Sequence, residues 1–376
     1  MRVLLDVSAV PQRPVGAGVY TIAIARGLDR RDDLDLVLLT RRGDSERWNG
    51  LAPTAEIVAA VPDARPARLA WEHARGARVA SVAACDVWHG PHYTLPDKLA
   101  VPSVVTVHDL TFFDQPENHE RVKVAFFRRA IVRNAKRANR VICVSASTAR
   151  RLDALVSGHA PVTIVHHGVD HDLFRVSSDS AVDLARLADR GIHGDYIAFV
   201  GTIEPRKGLP TLVAAFAKLA PDHPGLRLVI AGGDGWGVDA LRAAITRHGV
   251  ATRVIRPGYL DDETVAALFR QARVVAYPSL AEGFGLPALE AMACGVPLVT
   301  TSGTAMDEFV ADAALLAAPG DSGSLAEALR RVLDDPLEAQ RLRSRGPQVA
   351  ARYTWATCVD AHVAAYRAAV HGQETG

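Results

Sequence analysis

Short apolar runs rich in Val, Leu and Ile alternate with Ala-rich amphipathic stretches along this chain, and that rhythm leaves few folds open. Runs that are apolar throughout need cover on both faces, which parallel sheets with helices on either side provide. The predicted strands of the first half are 2–7, 34–40, 55–60, 85–90, 103–109, 140–145 and 161–168. Those of the second half are 195–201, 226–232, 253–258, 273–279, 297–301 and 314–319. Between them the 3.6-residue period predicts helices at 17–29, 119–138, 208–219, 237–248, 262–271, 286–294 and 322–333. The polar stretch 171–194 interrupts the rhythm and is read as the domain junction. The fold class expected is α/β, with two Rossmann-like doubly wound domains facing across a cleft. The first covers 1–172 and the second 173–354. A last helix, 355–370, has no strand after it, so the segment 355–376 is expected to pack back on the first domain.

At 376 residues the chain has ample core material for two domains. A net charge of +1 gives no global field to attract nucleic acid. The four cysteines (Cys85, Cys143, Cys294 and Cys358) have neither metal-type spacing nor the density of a secreted scaffold, and are read as buried thiols in a reducing cytosol. No apolar run approaches the ~18 residues that span a bilayer, and the N-terminus lacks a signal-peptide pattern. A cytoplasmic protein is expected.

Residues 282–290 read EGFGLPALE. Glu282 falls on the loop after the predicted strand 273–279, and Glu290 about a turn into the helix that ends near Gly295. Between them Gly283, Phe284, Gly285 and Leu286 offer backbone amides at a helix N-terminus, where the macrodipole favours an anion. A second element, GTIEPRKGLPTL (201–212), places Arg206 and Lys207 at another helix start. Cations there cost about 0.3–1 kcal/mol each, and an anionic ligand would supply the reason. Together the glutamates and the basic pair suit a sugar diphosphate.

Other features are less specific. In PVGAGVY, Gly16 and Gly18 form either a tight strand–helix turn or a glycine loop lining the cleft; Thr21 stands where a dinucleotide fingerprint needs its third glycine. His108, beside Asp109 at a predicted strand end, is either a satisfied structural histidine or a ligand group. Asp33 and Asp35 match a DxD pattern but lie far in sequence from the phosphate candidates, so no metal site is expected there. The run 121–140 carries eight Lys/Arg and no acid, interleaved with Val124, Phe126, Phe127, Ile131 and Val132. Such a helix can lie on an anionic membrane or be simply solvated.

These motifs resemble the retaining glycosyltransferases of family 4, also called glycosyl transferases group 1, which have the GT-B fold. EGFGLPALEAMACGVPLVTT (282–301) is similar to the family's glutamate–seven–glutamate signature, and GTIEPRKG to its diphosphate-binding segment in the form common among mannosyl- and rhamnosyltransferases. VHDL and PVGAGVY fit the cleft histidine and the acceptor-side glycine loop. The resemblance implies that Arg206 and Lys207 hold the donor diphosphate. Glu282 then contacts the transferred sugar with the amides of Phe284, Gly285 and Leu286 nearby, and Glu290 binds the ribose. His108 contacts the sugar near the reacting carbon, Gly16 and Gly18 admit diphosphate or acceptor, and Gly258 and Tyr259 meet the base. Many members have Arg where this chain has Thr202, which leaves more of the charge to Arg206 and Lys207. No metal and no cofactor are implied. The implied reaction retains anomeric configuration, with domain closure across 171–194 completing the site.

GDP-mannose is the leading donor because of the EPRKG form, with a UDP- or dTDP-sugar as the alternative. The expected acceptor is a hydroxyl of a glycan or lipid-linked molecule, reached through peripheral membrane contact by 121–140. A catalytically silent nucleotide-sugar-binding protein is the competing reading from another class. An NAD-dependent dehydrogenase is a third, disfavoured by the incomplete glycine fingerprint.

Overall fold

The computed structural model describes residues 1–118, 121–177 and 179–372. The chain forms two compact units, one made of Met1–Gly168 with the chain from Trp355 on, the other of Val169–Thr354.

The first unit is built on a seven-stranded parallel sheet of order β3-β2-β1-β4-β5-β6-β7. Its strands are β1 (Arg2–Asp6), β2 (Asp35–Arg41), β3 (Glu56–Val61), β4 (Val87–Gly90), β5 (Ser103–Val107), β6 (Arg140–Cys143) and β7 (Val162–Ile164). Its helices are α1 (Ala17–Asp29), α2 (Ser45–Leu51), α3 (Arg65–Val82), α4 (Thr111–Asp114), α5 (Arg121–Arg137) and α6 (Ala146–Leu155). Val3, Leu4 and Leu5 of β1 are all buried, and successive residues enter two different apolar clusters, one on each face. That is why the strand reads as an unbroken apolar run.

The second unit repeats the plan with six parallel strands in the order β10-β9-β8-β11-β12-β13. They are β8 (Tyr196–Val200), β9 (Arg227–Ala231), β10 (Val254–Gly258), β11 (Val274–Tyr277), β12 (Leu298–Thr301) and β13 (Ala314–Ala317). The helices are α7 (Ser180–Ala188), α8 (Leu209–Leu219), α9 (Val238–Arg247), α10 (Asp262–Gln271), α11 (Leu286–Ala293), α12 (Asp307–Val310), α13 (Ser322–Asp334) and α14 (Pro336–Ala350). The last helix, α15 (Trp355–His371), belongs to the first unit. Its Val359 lies so close to α1 that a Cβ on Gly27 would come within 2.3 Å of it. Residues 373–376 of the predicted C-terminal segment lie outside the described residues, as do 119 and 120 of the predicted helix 119–138.

The helices over 45–51, 65–82, 146–155, 180–188 and 336–350 are not among those predicted from periodicity. In α14 the pattern is masked by its polar composition and by Gly346 and Pro347, yet it packs on α11 so closely that a Cβ on Gly346 would sit 3.0 Å from the Met292 carbonyl oxygen. Within the segment 171–194, Asp179 caps α7 and Asp183 forks to Arg270 of α10 at 2.6 Å through both carboxylate oxygens. That stretch is therefore fastened to the second unit, and Ser178 lies outside the described residues. The boundary falls at Gly168/Val169, because Val169 bridges Thr354 and so joins the second unit.

Candidate active site

In each sheet the strand order reverses at one point, between β1 and β4 in the first and between β8 and β11 in the second. Ligands of doubly wound folds bind outside the carboxyl ends of the strands that flank such a reversal. The loops leaving β8 and β11 are the two that carry the basic pair and Glu282.

Pro205 opens a short 3-10 turn over Pro205–Lys207, and Gly208, with φ of 66°, turns the chain into α8. A Cβ on Gly208 would meet the Pro278 carbonyl oxygen at 2.2 Å, so only glycine lets the two loops come this close. The Leu280 amide donates to the Arg206 carbonyl at 2.7 Å and clasps them together. Arg206 then reaches Glu204 at 2.8 Å and Glu282 at 3.1 Å, while the buried Lys207 ammonium pairs with the other oxygen of Glu282. Lys207 also donates to the Tyr277 hydroxyl at 2.5 Å.

Two cations and two carboxylates thus form a neutral cluster at the end of the second sheet. Burial pushes the Glu282 carboxyl up, but Lys207 and Arg206 together outweigh it and hold it at about 2. Burial and the Arg206 charge push Lys207 down, against the pull of Glu282. Arg206 and Lys207 precede α8 and already have carboxylate partners, so an anionic ligand here would share these cations with Glu204 and Glu282.

Glu290 is different. It lies past the first turn of α11, where the dipole gives a carboxylate little, and no Lys, Arg or His of the described residues pairs with it. Burial, with Asp262 adding to it, pushes its carboxyl up to about 8. At the start of the same helix Gly285 has φ of 104°, and a Cβ there would strike Met306 at 2.7 Å. The Gly285 and Leu286 amides make no hydrogen bond to an acceptor among the described residues. Phe284 is buried against Phe309 at 5.1 Å. Thr202 is half-buried in the loop after β8. Gly258 and the exposed Tyr259 end the edge strand β10, two strands out from β8, with Gly258 at φ of 79°.

The remaining predicted residues belong to the first unit. Gly16, at φ of 47°, starts α1, whereas Gly18 is inside the helix and packs near Pro14. His108, buried just after β5, donates from Nε2 to the Pro91 carbonyl oxygen at 2.7 Å. Burial pushes it below the usual histidine range, so it is neutral and Nδ1 keeps its lone pair. Asp109 is not its partner; its carboxylate accepts from the Thr111 amide at 3.1 Å and hydroxyl at 2.7 Å. Asp33 of the DxD pattern is bound to Arg31 at 2.7 Å and Arg367 at 2.6 Å.

Several residues escaped sequence reasoning. Tyr277 reads as a core aromatic of a buried strand, and only the fold aims its hydroxyl at Lys207. His89 and His167 could have been found, since each lies at the end of a predicted strand as His108 does, and His92 follows two residues after one.

A pair of doubly wound parallel units with an ion-paired cluster at a strand-order reversal is the GT-B architecture of nucleotide-sugar glycosyltransferases. The solved structure of Anabaena HepE in complex with UDP-glucose has this fold, with a TM-score of 0.77 at 21% identity over 100% of both chains. The family model of glycosyl transferases group 1 matches residues 193–349, and that of glycosyltransferase family 4 matches 14–173. O-antigen chain mannosyltransferase B of Escherichia coli is 30% identical over 284 residues, 75% of this chain and 74% of its own. D-inositol 3-phosphate glycosyltransferase of Mycobacterium avium (strain 104) is 34% identical over 300 residues, 74% of this chain and 67% of its own. The chain belongs to glycosyltransferase family 4. It is an enzyme that transfers a sugar from a nucleotide-sugar.

Proposed function

We propose that this enzyme moves mannose from GDP-mannose to a hydroxyl of a glycan or lipid-linked acceptor, with retention and without a metal. The observation that carries the reading is the Arg206–Lys207–Glu282 cluster, set at the strand-order reversal where a donor diphosphate belongs. Similarity to a chain named as a mannosyltransferase supports the sugar. Arg206 and Lys207 hold the diphosphate, assisted by the Gly285 and Leu286 amides, with Thr202 and Phe284 lining the donor and Gly16 and Gly18 admitting it or the acceptor. Glu282, released from part of its ion pairing as phosphate takes over the cations, meets the transferred sugar. Glu290 takes the ribose, Gly258 and Tyr259 the base, and the neutral His108 accepts a sugar hydroxyl at Nδ1.

In the reaction the bond from C1 to the diphosphate oxygen breaks and the acceptor oxygen bonds C1 on the same face. The acceptor proton passes to the departing diphosphate. Arg206 and Lys207 stabilise the charge that develops on that leaving group. A thermal-shift panel of GDP, UDP and dTDP tests the donor. GDP is expected to raise the midpoint most; stabilisation by UDP alone rejects the mannose reading, and HepE, solved with UDP-glucose, makes UDP the specific alternative.

For the acceptor, similarity to a chain named D-inositol 3-phosphate glycosyltransferase supports a phosphorylated polyol. The basic run is less free than its sequence suggests. On α5, Arg133 pairs with Asp97 at 2.7 Å and Arg128 donates to the Phe112 carbonyl at 2.7 Å, while Arg140 begins β6. Arg121, Arg129 and Lys136 are exposed along α5, as is Val122 near its start, and no helix of the described residues is long and apolar enough to cross a membrane. Peripheral contact through this face predicts co-flotation with phosphatidylserine vesicles at low salt and release at high salt. No binding at low salt rejects it.

A further inference from the structure

Behind His108 the first unit buries a chain of polar groups with a single consistent order of protons. The His362 Nδ1 is 2.7 Å from the Cys358 carbonyl oxygen, which can only accept, so Nδ1 carries the hydrogen. Burial keeps this imidazole neutral, with its pKa at about 4, and Nε2 is therefore an acceptor. It takes the proton of the Tyr20 hydroxyl, 2.6 Å away. The Tyr20 oxygen in turn accepts from the Thr106 hydroxyl at 2.9 Å. Thr106, its hydrogen used, accepts from Nε2 of His89 at 2.8 Å. That leaves Nδ1 of His89 as the acceptor for the Tyr366 hydroxyl at 2.8 Å. Each link fixes the next, and both ends of the chain lie on α15.

The middle of this chain bears on His108. The Tyr20 ring meets His108 edge-on with centroids 4.9 Å apart, and His167 in the same way at 4.9 Å. His167 stacks on His108 at 6.0 Å and 19°, and Trp355 backs His167 at 5.9 Å. The hydrogen bond from Nε2 to Pro91 fixes one end of the His108 ring but leaves rotation about that axis. Contact with Tyr20 and His167, together with His92 at 5.7 Å and Tyr93 at 5.9 Å, removes that freedom and sets the direction of Nδ1.

We propose that Tyr20 is a positioning residue for His108 and that His362, on the last helix of the chain, holds Tyr20 in place. The C-terminal helix thereby forms part of the machinery of the first unit's site. The inference rests on the role given to His108 above.

The test uses the full chain and donor hydrolysis, read as GDP release from GDP-mannose with water as acceptor, or UDP release from UDP-glucose if the nucleotide panel selects UDP. Tyr20→Phe keeps the ring and cuts both of its hydrogen bonds. It is expected to lower kcat roughly tenfold, with KM and the calorimetric Kd for the nucleotide changed by less than about twofold. His362→Leu is expected to match that loss. His362→Gln, whose amide oxygen can stand where Nε2 stood, is expected to recover most of it. Because the two residues share one bond, Tyr20→Phe combined with His362→Leu should lose no more than either alone. An unchanged kcat in Tyr20→Phe overturns the proposal. So does a loss that Gln fails to rescue, or one accompanied by lost nucleotide binding, which marks general unfolding. If Tyr20→Phe does not fold, the Gln and Leu variants of His362 carry the comparison. His108→Ala separates the two readings: full activity there removes the role of His108 itself, whereas a drop there without one in Tyr20→Phe removes only the positioning.

Discussion

Lys207→Met is expected to lower donor turnover by roughly a thousandfold, because a buried cation aimed at a developing charge is lost from a water-poor site. The same change leaves Glu282 buried with Arg206 at 3.1 Å as its remaining cation. Removing one member of a buried ion pair costs about 3–5 kcal/mol, and the remaining guanidinium should bring the loss toward the lower end, seen as a drop of several degrees in Tm. Combining Lys207→Met with Glu282→Gln removes the stranded charge and should restore much of that stability while activity stays lost. Stability and catalysis at this cluster are thus separable by experiment. Wild-type turnover in Lys207→Met would reject its role on the diphosphate, and an active double variant would reject that of Glu282.

The acid limb of stability should move with these changes. Glu282 is held at about 2 against an ordinary 4.5, so its contribution is present above pH 4.5 and is lost as pH falls toward 2. Breaking the pair removes this dependence.

Glu290→Gln is expected to change the pH dependence of stability in the opposite range. The wild-type carboxyl stays protonated in the folded chain up to about pH 8, whereas the unfolded chain ionises near 4.5. Stability therefore declines as pH rises from 4.5 to 8, and at ~1.4 kcal/mol per unit the total is on the order of a few kcal/mol. Gln, which carries no charge at any pH, should flatten this decline and leave the variant more stable than wild type at pH 8. Denaturant titrations at pH 5 and pH 8 on both proteins check it; equal slopes in the two would reject the assignment. If ribose hydroxyls bind the ionised form, nucleotide binding to wild type should also release a proton near pH 7. Calorimetry in buffers of different ionisation enthalpy reads that release, and Glu290→Gln should reduce it.

The strands were legible in the sequence because both sheets are covered on both faces. β8 and β11 are apolar at every buried position, and β1 at all but the buried Asp6 at its end, so they need no periodicity to be seen. Helices were legible where one face alone is apolar, as in α9 and α13. They were hidden where close packing replaces side-chain hydrophobicity, as in α14 with Gly346 against Met292. Of the site, Arg206, Lys207, Glu282 and Glu290 could be named from residue type and spacing. Tyr277 could not, since a buried strand aromatic carries no sign of where its hydroxyl points.

By itself the sequence determined two parallel α/β units and a glycine-framed loop carrying two glutamates, because those follow from local propensity and from turns that only glycine can make. Tertiary structure alone decided the charge of each group. Glu282 and Glu290 are the same residue type eight positions apart, yet one is held at about 2 by two cations from another strand end and the other is raised to about 8 by burial without a cation. Desolvation and Coulomb terms depend on what the fold brings within a few ångströms, and residue spacing along the chain does not encode that distance.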